Sequence, residues 1–186
     1  MIPLIIIGVV VVILGSYFVT IYNSLIVVKN NILKAWANID VLLKQRHDEI
    51  PKLVKICETY AQFEKKTLTE VIALRNSAAG AQGVAAKAVK EGELTGALHR
   101  LFAVAEAYPD LKTNNNFMQL QNRVTGLENQ IADRREFYNE SVNNYNIRIE
   151  SLPDRFIAGP MGLKQQEMFK VSEADRQDPG INFNLP

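Results

Sequence analysis

The sequence predicts an all-α protein: a single amino-terminal transmembrane helix continuing into a long-helix antiparallel bundle, with a mostly irregular carboxy-terminal tail. Three observations predict it. No charged side chain precedes Lys29, and the stretch from Leu4 to Val19 is mostly Ile, Val and Leu, densest before Gly15. Apolar and core-like residues beyond it recur at sevenfold spacing in two long windows. The seven prolines, at 3, 51, 109, 153, 160, 179 and 186, leave windows 52–108 and 110–152 free to be helical.

The first element is the apolar run. About 20 helical residues rising 1.5 Å each cross a hydrocarbon core of ~30 Å. A cleaved secretory signal would need a cationic start, a shorter apolar core and a small-residue cleavage site. Here Met1-Ile2-Pro3 carries only the α-amino charge, and Tyr17, Phe18 and Tyr22 follow the run, residues suited to a bilayer interface. An uncleaved anchor over residues 1–28 is therefore expected. Lys29, Lys34, Lys44 and Arg46 crowd its carboxy-terminal flank, which by the positive-inside rule places the amino terminus outside and the body in the cytoplasm. Cys57 is the single cysteine, so no internal disulfide can form and a reducing compartment is permitted.

All 21 Lys+Arg and all 20 Asp+Glu lie beyond Val28. So even a balance argues against a sequence-independent nucleic-acid binder, which needs a basic face. The length suits one body, expected as a helical bundle over 29–152 with a tail over 153–186.

Within the bundle, Leu25, Ile32, Ile39, Arg46, Leu53, Tyr60, Thr67 and Leu74 form one row, with Trp36, Leu43, Ile50, Cys57, Glu64 and Val71 beside it. Such spacing holds a coiled-coil-like seam on one helix face. Pro51 is expected to kink this helix without ending it, because both rows keep phase across it. Residues 77–92, small and dotted with Gly, are expected to form a loop or frayed end. Leu94, Leu98, Leu101, Phe102 and Ala105 mark a shorter helix that Pro109 ends. The third helix is expected to start with Asn116 as cap and Gln119 three positions on. It carries Phe117, Val124, Ile131, Tyr138, Tyr145 and Leu152 in one row and stops at Pro153. In the tail, a short helix around Met168 and Phe169 is expected within 165–174, and Ile181, Phe183 and Leu185 alternate as in an extended segment that docks on a bundle.

Polar residues interrupt the seam. Arg46 takes a core position, and Glu128 and Arg135 flank the apolar row of the third helix. A buried charge needs a partner, and antiparallel packing brings Arg46 to Glu128. A structural ion pair fixing register is the plainer role for these residues, and a binding or catalytic site the sharper one. Asn139 and Asn146, seven apart, form either a polar ladder selecting alignment or two solvent-facing amides.

No catalytic or metal constellation is legible. His47 and His99 lack a second ligand at metal-site spacing, and both suit surface or interhelix positions. Cys57 sits among apolar neighbours as a packed thiol, and no phosphate loop, dinucleotide fingerprint or nucleophile elbow occurs. No enzyme activity, cofactor or metal is expected.

Tyr22-Asn23-x-Leu25, Arg46-x-Asp48-x-Ile50-Pro51-x-Leu53-Val54, Tyr108-Pro109-Asp110-Leu111 and Phe117-x-x-Leu120-Gln121 follow one another along the chain. Glu128 and Arg135-x-x-Tyr138-Asn139-x-x-Val142-x-x-Tyr145-Asn146 complete the set, and Phe156-Ile157-Ala158, Gly162-Leu163 and Phe169 continue it. In order and spacing this resembles the LemA family of bacterial membrane proteins across nearly the whole chain. Leu152-Pro153 stands where Phe-Pro is commoner, and residues 77–92 match little. The resemblance implies an amino-terminal anchor in the bacterial inner membrane, a helical cytoplasmic body and no transferable catalytic residue. Members of the family often occur beside membrane metalloproteases. The resulting expectation is a membrane-anchored helical scaffold or interaction protein forming a homo-oligomer on the bilayer. Its alternative is an adaptor or regulator of a membrane protease.

Overall fold

A computed structural model describes residues 1–60 and 63–170. Every regular element among them is helical: α1 (Ile2–Glu58), α2 (Lys65–Gly80), α3 (Val84–Ala105), α4 (Pro109–Lys112), α5 (Asn115–Glu150) and α6 (Arg155–Ala158). The described chain divides into two compact units. The first comprises Met1–Ile39 and Arg134–Met168, the second Asp40–Asp133 with Phe169 and Lys170.

In the first unit, α1 is exposed along its whole apolar stretch, and Ile21 is the first of its residues to be buried. This stretch is the only one among the described residues long and apolar enough to cross a membrane. From Ile21 onward, Leu25, Ile32, Ala35 and Ile39 are buried. The buried residues of α5 in this unit, Tyr138, Val142, Tyr145 and Ile149, recur at helical spacing. Two contacts give the register. The Trp36 and Tyr138 rings meet at 5.5 Å between centroids, and Arg148 Nη1 donates to Ser24 Oγ at 2.6 Å. Advancing along α5 therefore retreats along α1, and the two segments run antiparallel. After α5, Asp154 accepts from Arg148 Nε at 2.7 Å, and α6 buries Ile157 and Ala158.

In the second unit, Ile50, Leu53, Val54 and Cys57 of α1 share one core with residues of α2, α3, α4 and α5. α2 and α3 pair as a hairpin. Pro51 lies inside α1, which continues to Glu58, so the helix survives its proline as the phase of the rows requires. Asp110 and Lys112 frame the short α4, which carries Pro109 at its start, where a missing N–H is harmless.

Several boundaries differ from the sequence expectations. The first window is two helices, not one, with a break between Glu58 and Lys65. No Gly or Pro marks that break; aromatic residues make it. Phe63 is buried with its ring 5.1 Å from that of Tyr108, and the Tyr60 hydroxyl accepts from Asn114 Nδ2 at 3.1 Å. Residues 77–92 are mostly helical, because Ala is the strongest helix former. The break is confined to Ala81–Gly83, and Gly83 holds φ +80°, a conformation that favours glycine. The amino-terminal cap of α5 is Asn114, not Asn116: its Oδ1 accepts from Asn116 N at 3.0 Å and Phe117 N at 3.1 Å. α3 ends at Ala105, four residues before Pro109. No helix forms over residues 165–170. The expectations for residues 171–186, including Ile181, Phe183 and Leu185, lie outside the described residues.

The seam residues Leu25, Ile32, Ile39, Leu53, Phe117, Val124, Ile131, Tyr138 and Tyr145 are all buried within a single chain. Most of the sevenfold rows is thus spent on the fold itself, whereas Leu152, the last residue of the third-helix row, lies past the end of α5 and is exposed.

Candidate functional site

The most concentrated polar chemistry lies in the second unit, around Arg46. α1 carries Arg46 on its buried face, where it is 1% exposed. An arginine there needs its charge matched and most of its donors bonded, and of the three guanidinium nitrogens only Nε has no partner among the described residues. α3 supplies Glu91, fully buried, whose Oε2 makes a short ion pair with Arg46 Nη2. The Glu91 carbonyl lies 3.4 Å from the same nitrogen. Arg46 Nη1 donates to Thr95 Oγ1 at 2.8 Å and to Glu128 Oε1 of α5 at 3.2 Å. His47 Nε2 lies 3.1 Å from Glu91 Oε1, and exposed His99 places Nε2 3.3 Å from Glu128 Oε2. Three helices are tied by one guanidinium with two carboxylates.

The electrostatics follow from this packing. Burial by itself raises the Glu91 carboxyl, but the hydrogen bond from His47 and the charges of Arg46 and His47 outweigh it. They hold the group below its ordinary value of 4.5. Glu91 is therefore an anion balancing Arg46 and not a proton store.

A second tie sits one turn away. Pro51 has no N–H, so the His47 carbonyl four residues earlier loses its helical donor. Arg75 of α2 supplies one, its Nε donating to His47 O at 3.1 Å. Glu49 is buried too and pairs with Lys52 Nζ at 3.0 Å and Arg123 Nε at 3.1 Å.

The remaining expected polar residues belong to the first unit. Arg135 and Asn139 are half-buried on α5. Asn146 bonds the tail. Its Nδ2 donates to Gln166 O at 3.0 Å, and its Oδ1 accepts from Gln166 N at 2.9 Å. The amide thus pairs with the tail as another strand's backbone would. Tyr138 Oη adds a bond to Glu167 O at 3.0 Å. Burial first and the Glu167 charge second push that phenol up, keeping it a donor. These contacts dock residues 166–167 on α5.

Cys57 is buried, and desolvation, relieved in part by a backbone hydrogen bond and reinforced by Glu58, pushes its thiol up to about 12. A group so reluctant to ionise is a poor nucleophile. A cavity of about 640 Å³ opens beside the α1–α2 turn, with Val54, Phe63, Leu68 and Ile72 in its wall and Glu58 and Lys65 at its polar edge. Among its described lining residues there is neither His nor Cys. No three His, Cys, Asp or Glu side chains among the described residues come together so as to hold a metal ion.

Sequence reasoning brought Arg46 and Glu128 together but missed Glu91, Thr95 and Arg75. Glu91 had a signal: it precedes Leu94 and Leu98 by three and seven positions, on the same helical stripe. Arg75 had none in its own neighbourhood; only the orphaned carbonyl before Pro51 asks for such a donor.

The sequence pattern of the LemA family matches residues 35–183, which takes in the Arg46, Glu91 and Glu128 positions and the α5 row. Among curated proteins, Magnetosome protein MamQ 2 of Paramagnetospirillum magneticum is 26% identical over 179 residues, covering 82% of this chain and 66% of that protein. Magnetosome protein MamQ of Magnetospirillum gryphiswaldense is 24% identical with the same coverage. Protein LemA of Metamycoplasma hominis is 26% identical over 160 residues, covering 84% and 72%. The chain thus spans 66% of the length of the MamQ relatives it matches.

Proposed function

The chain belongs to the LemA family, and on that premise we propose that it is a membrane-anchored, self-associating helical scaffold without enzymatic activity. The observation that carries this reading is how the polar residues are used. Arg46, Glu91, Glu128 and His47 are turned on one another across α1, α3 and α5, which favours a role in fixing helix register over one in turning over a substrate. The apolar segment before Ile21, with Tyr17, Phe18 and Tyr22 beside it, is the membrane anchor, and Lys29 and Lys34 beyond it favour a cytoplasmic body.

Self-association has to draw mainly on surfaces other than the sevenfold seam, most of which each chain buries for itself. Val27, Leu33, Phe137 and Ile147 of the first unit, and Val41 and Val89 of the second, remain exposed beyond the anchor. Such side chains suit contacts between copies at a membrane, where confinement to a plane raises their effective concentration. The second reading, an adaptor for a membrane protease, uses the same surfaces for a different partner.

Native mass in mild detergent separates the two. A scaffold gives a multiple of the 20.9 kDa chain. A single-chain particle co-purifying with a protease supports the adaptor, and a single-chain particle alone overturns self-association.

A further inference from the structure

We propose that the corner between α5 and α6 is a second membrane contact, with Leu152 and Phe156 inserting into the lipid surface beside the anchor. Leu152 is 70% exposed and Phe156 73%, the two most exposed large apolar side chains among the described residues beyond α1. Both lie in the first unit, where the register of α5 against α1 is fixed at two places. Tyr138 faces Trp36 and Arg148 reaches Ser24. Residue numbers facing each other across this antiparallel pair therefore sum to roughly constant values, which puts Leu152 level with residues 20–22. The backbone bond from Ser151 N to Ile147 O carries the helical path to the corner, so Leu152 lies about 6 Å beyond Arg148 towards the anchor.

That level is where α1 changes character. Ile21 is its first buried residue, every side chain before it is exposed, and Tyr17, Phe18 and Tyr22 mark the interfacial zone. In α6, Ile157 and Ala158 are buried while Phe156 is exposed. Leu152 thus stands at the height where the hydrocarbon begins, and Phe156 stays within a turn of it, its N–H donating to Pro153 O at 3.1 Å. Its charges are compatible with headgroups: Asp154 is neutralised by Arg148 and Glu150 is bonded by Gln165, while Arg155 and Lys164 are exposed. A lipid surface is the occupant that this placement fits, because the covering phase is the one already meeting the anchor. Two contacts would fix the tilt of the first unit on the bilayer, where one helix alone leaves it free to swivel.

This inference rests on the membrane anchoring proposed above, and its test tells the two apart. An environment-sensitive fluorophore is placed on the full chain at Leu152→Cys or, separately, Phe156→Cys, both at exposed positions that leave the core intact. Buried Cys57 stays unlabelled. Tyr17→Cys reports the anchor and Glu140→Cys, exposed on α5, reports the aqueous body. Each is reconstituted in phosphatidylcholine–phosphatidylglycerol vesicles with or without bromine on the acyl chains. The expected result is a loss of fluorescence at 152 and 156 comparable to that at 17, with none at 140. Quenching at 17 with none at either corner position overturns the lipid contact and leaves the anchor standing. No quenching at 17 overturns the anchoring itself, and the corner contact with it.

Discussion

Arg75→Met tests whether a residue on α2 repairs the helix that Pro51 damages. In the native chain Pro51 deprives the His47 carbonyl of its donor, and Arg75 Nε fills the vacancy at 3.1 Å. Met keeps most of the aliphatic stem and removes the guanidinium, leaving a part-buried carbonyl without a partner, at about 1–2 kcal/mol. For a chain of this length that lowers the unfolding midpoint by roughly 2–8 °C. Pro51→Ala restores an amide N–H four residues after His47, so the same Arg75→Met change in that background costs close to nothing. The coupling between the two sites is then about 1–2 kcal/mol, beyond the ~0.5 kcal/mol scatter of independent sites. Guanidinium unfolding of the four chains in detergent, followed by circular dichroism, measures it. Equal costs for Arg75→Met with Pro51 and with Ala at 51 would refute the repair.

Arg46→Met strands Glu91, fully buried, with His47 as its remaining charge partner; a loss of about 3–5 kcal/mol is expected, and an unchanged thermal midpoint would count against burial and pairing alike. Because Glu91 is held below its ordinary 4.5 in the folded chain, its contribution is present above that value. It is lost as pH falls through the folded value. Unfolding midpoints measured from about pH 3 to 6 should therefore fall on the acid side less steeply in Glu91→Gln than in the native chain; parallel profiles would remove Glu91 as a source of acid sensitivity. Asn146→Ala removes both bonds to Gln166 at about 1 kcal/mol each, so the amide of Gln166 should exchange with deuterium faster, and unaltered exchange would mean that other contacts hold the tail.

What was legible in the sequence followed from periodicity and proline. The α5 row needed no tertiary knowledge, since Phe117 to Tyr145 at sevenfold spacing defines one face over the whole helix. Pro51 inside α1 was legible because two rows kept phase across it. The same rows misled beyond Glu58, where Tyr60 and Thr67 stay in phase although the helix has ended; phase does not report a turn made by Tyr60, Phe63 and Asn114 contacts distant in sequence. Residues 77–92 failed for the opposite reason: Gly80 and Gly83 drew attention from the alanines around them, which favour helix on both sides of a three-residue break. At the candidate site, Arg46 and Glu128 stood out as charges on apolar rows. Glu91 lies in the Gly-dotted stretch whose composition points to a loop, and Arg75 answers a backbone vacancy that only the missing Pro51 N–H reveals.

Alkaline carbonate washing of membranes from cells making the full chain tests the anchoring on which the functional account rests. The chain should stay with the lipid pellet and be released by detergent, while a chain lacking residues 1–20 should leave with the wash. Recovery of the full chain in the carbonate supernatant would contradict an anchor embedded in the bilayer.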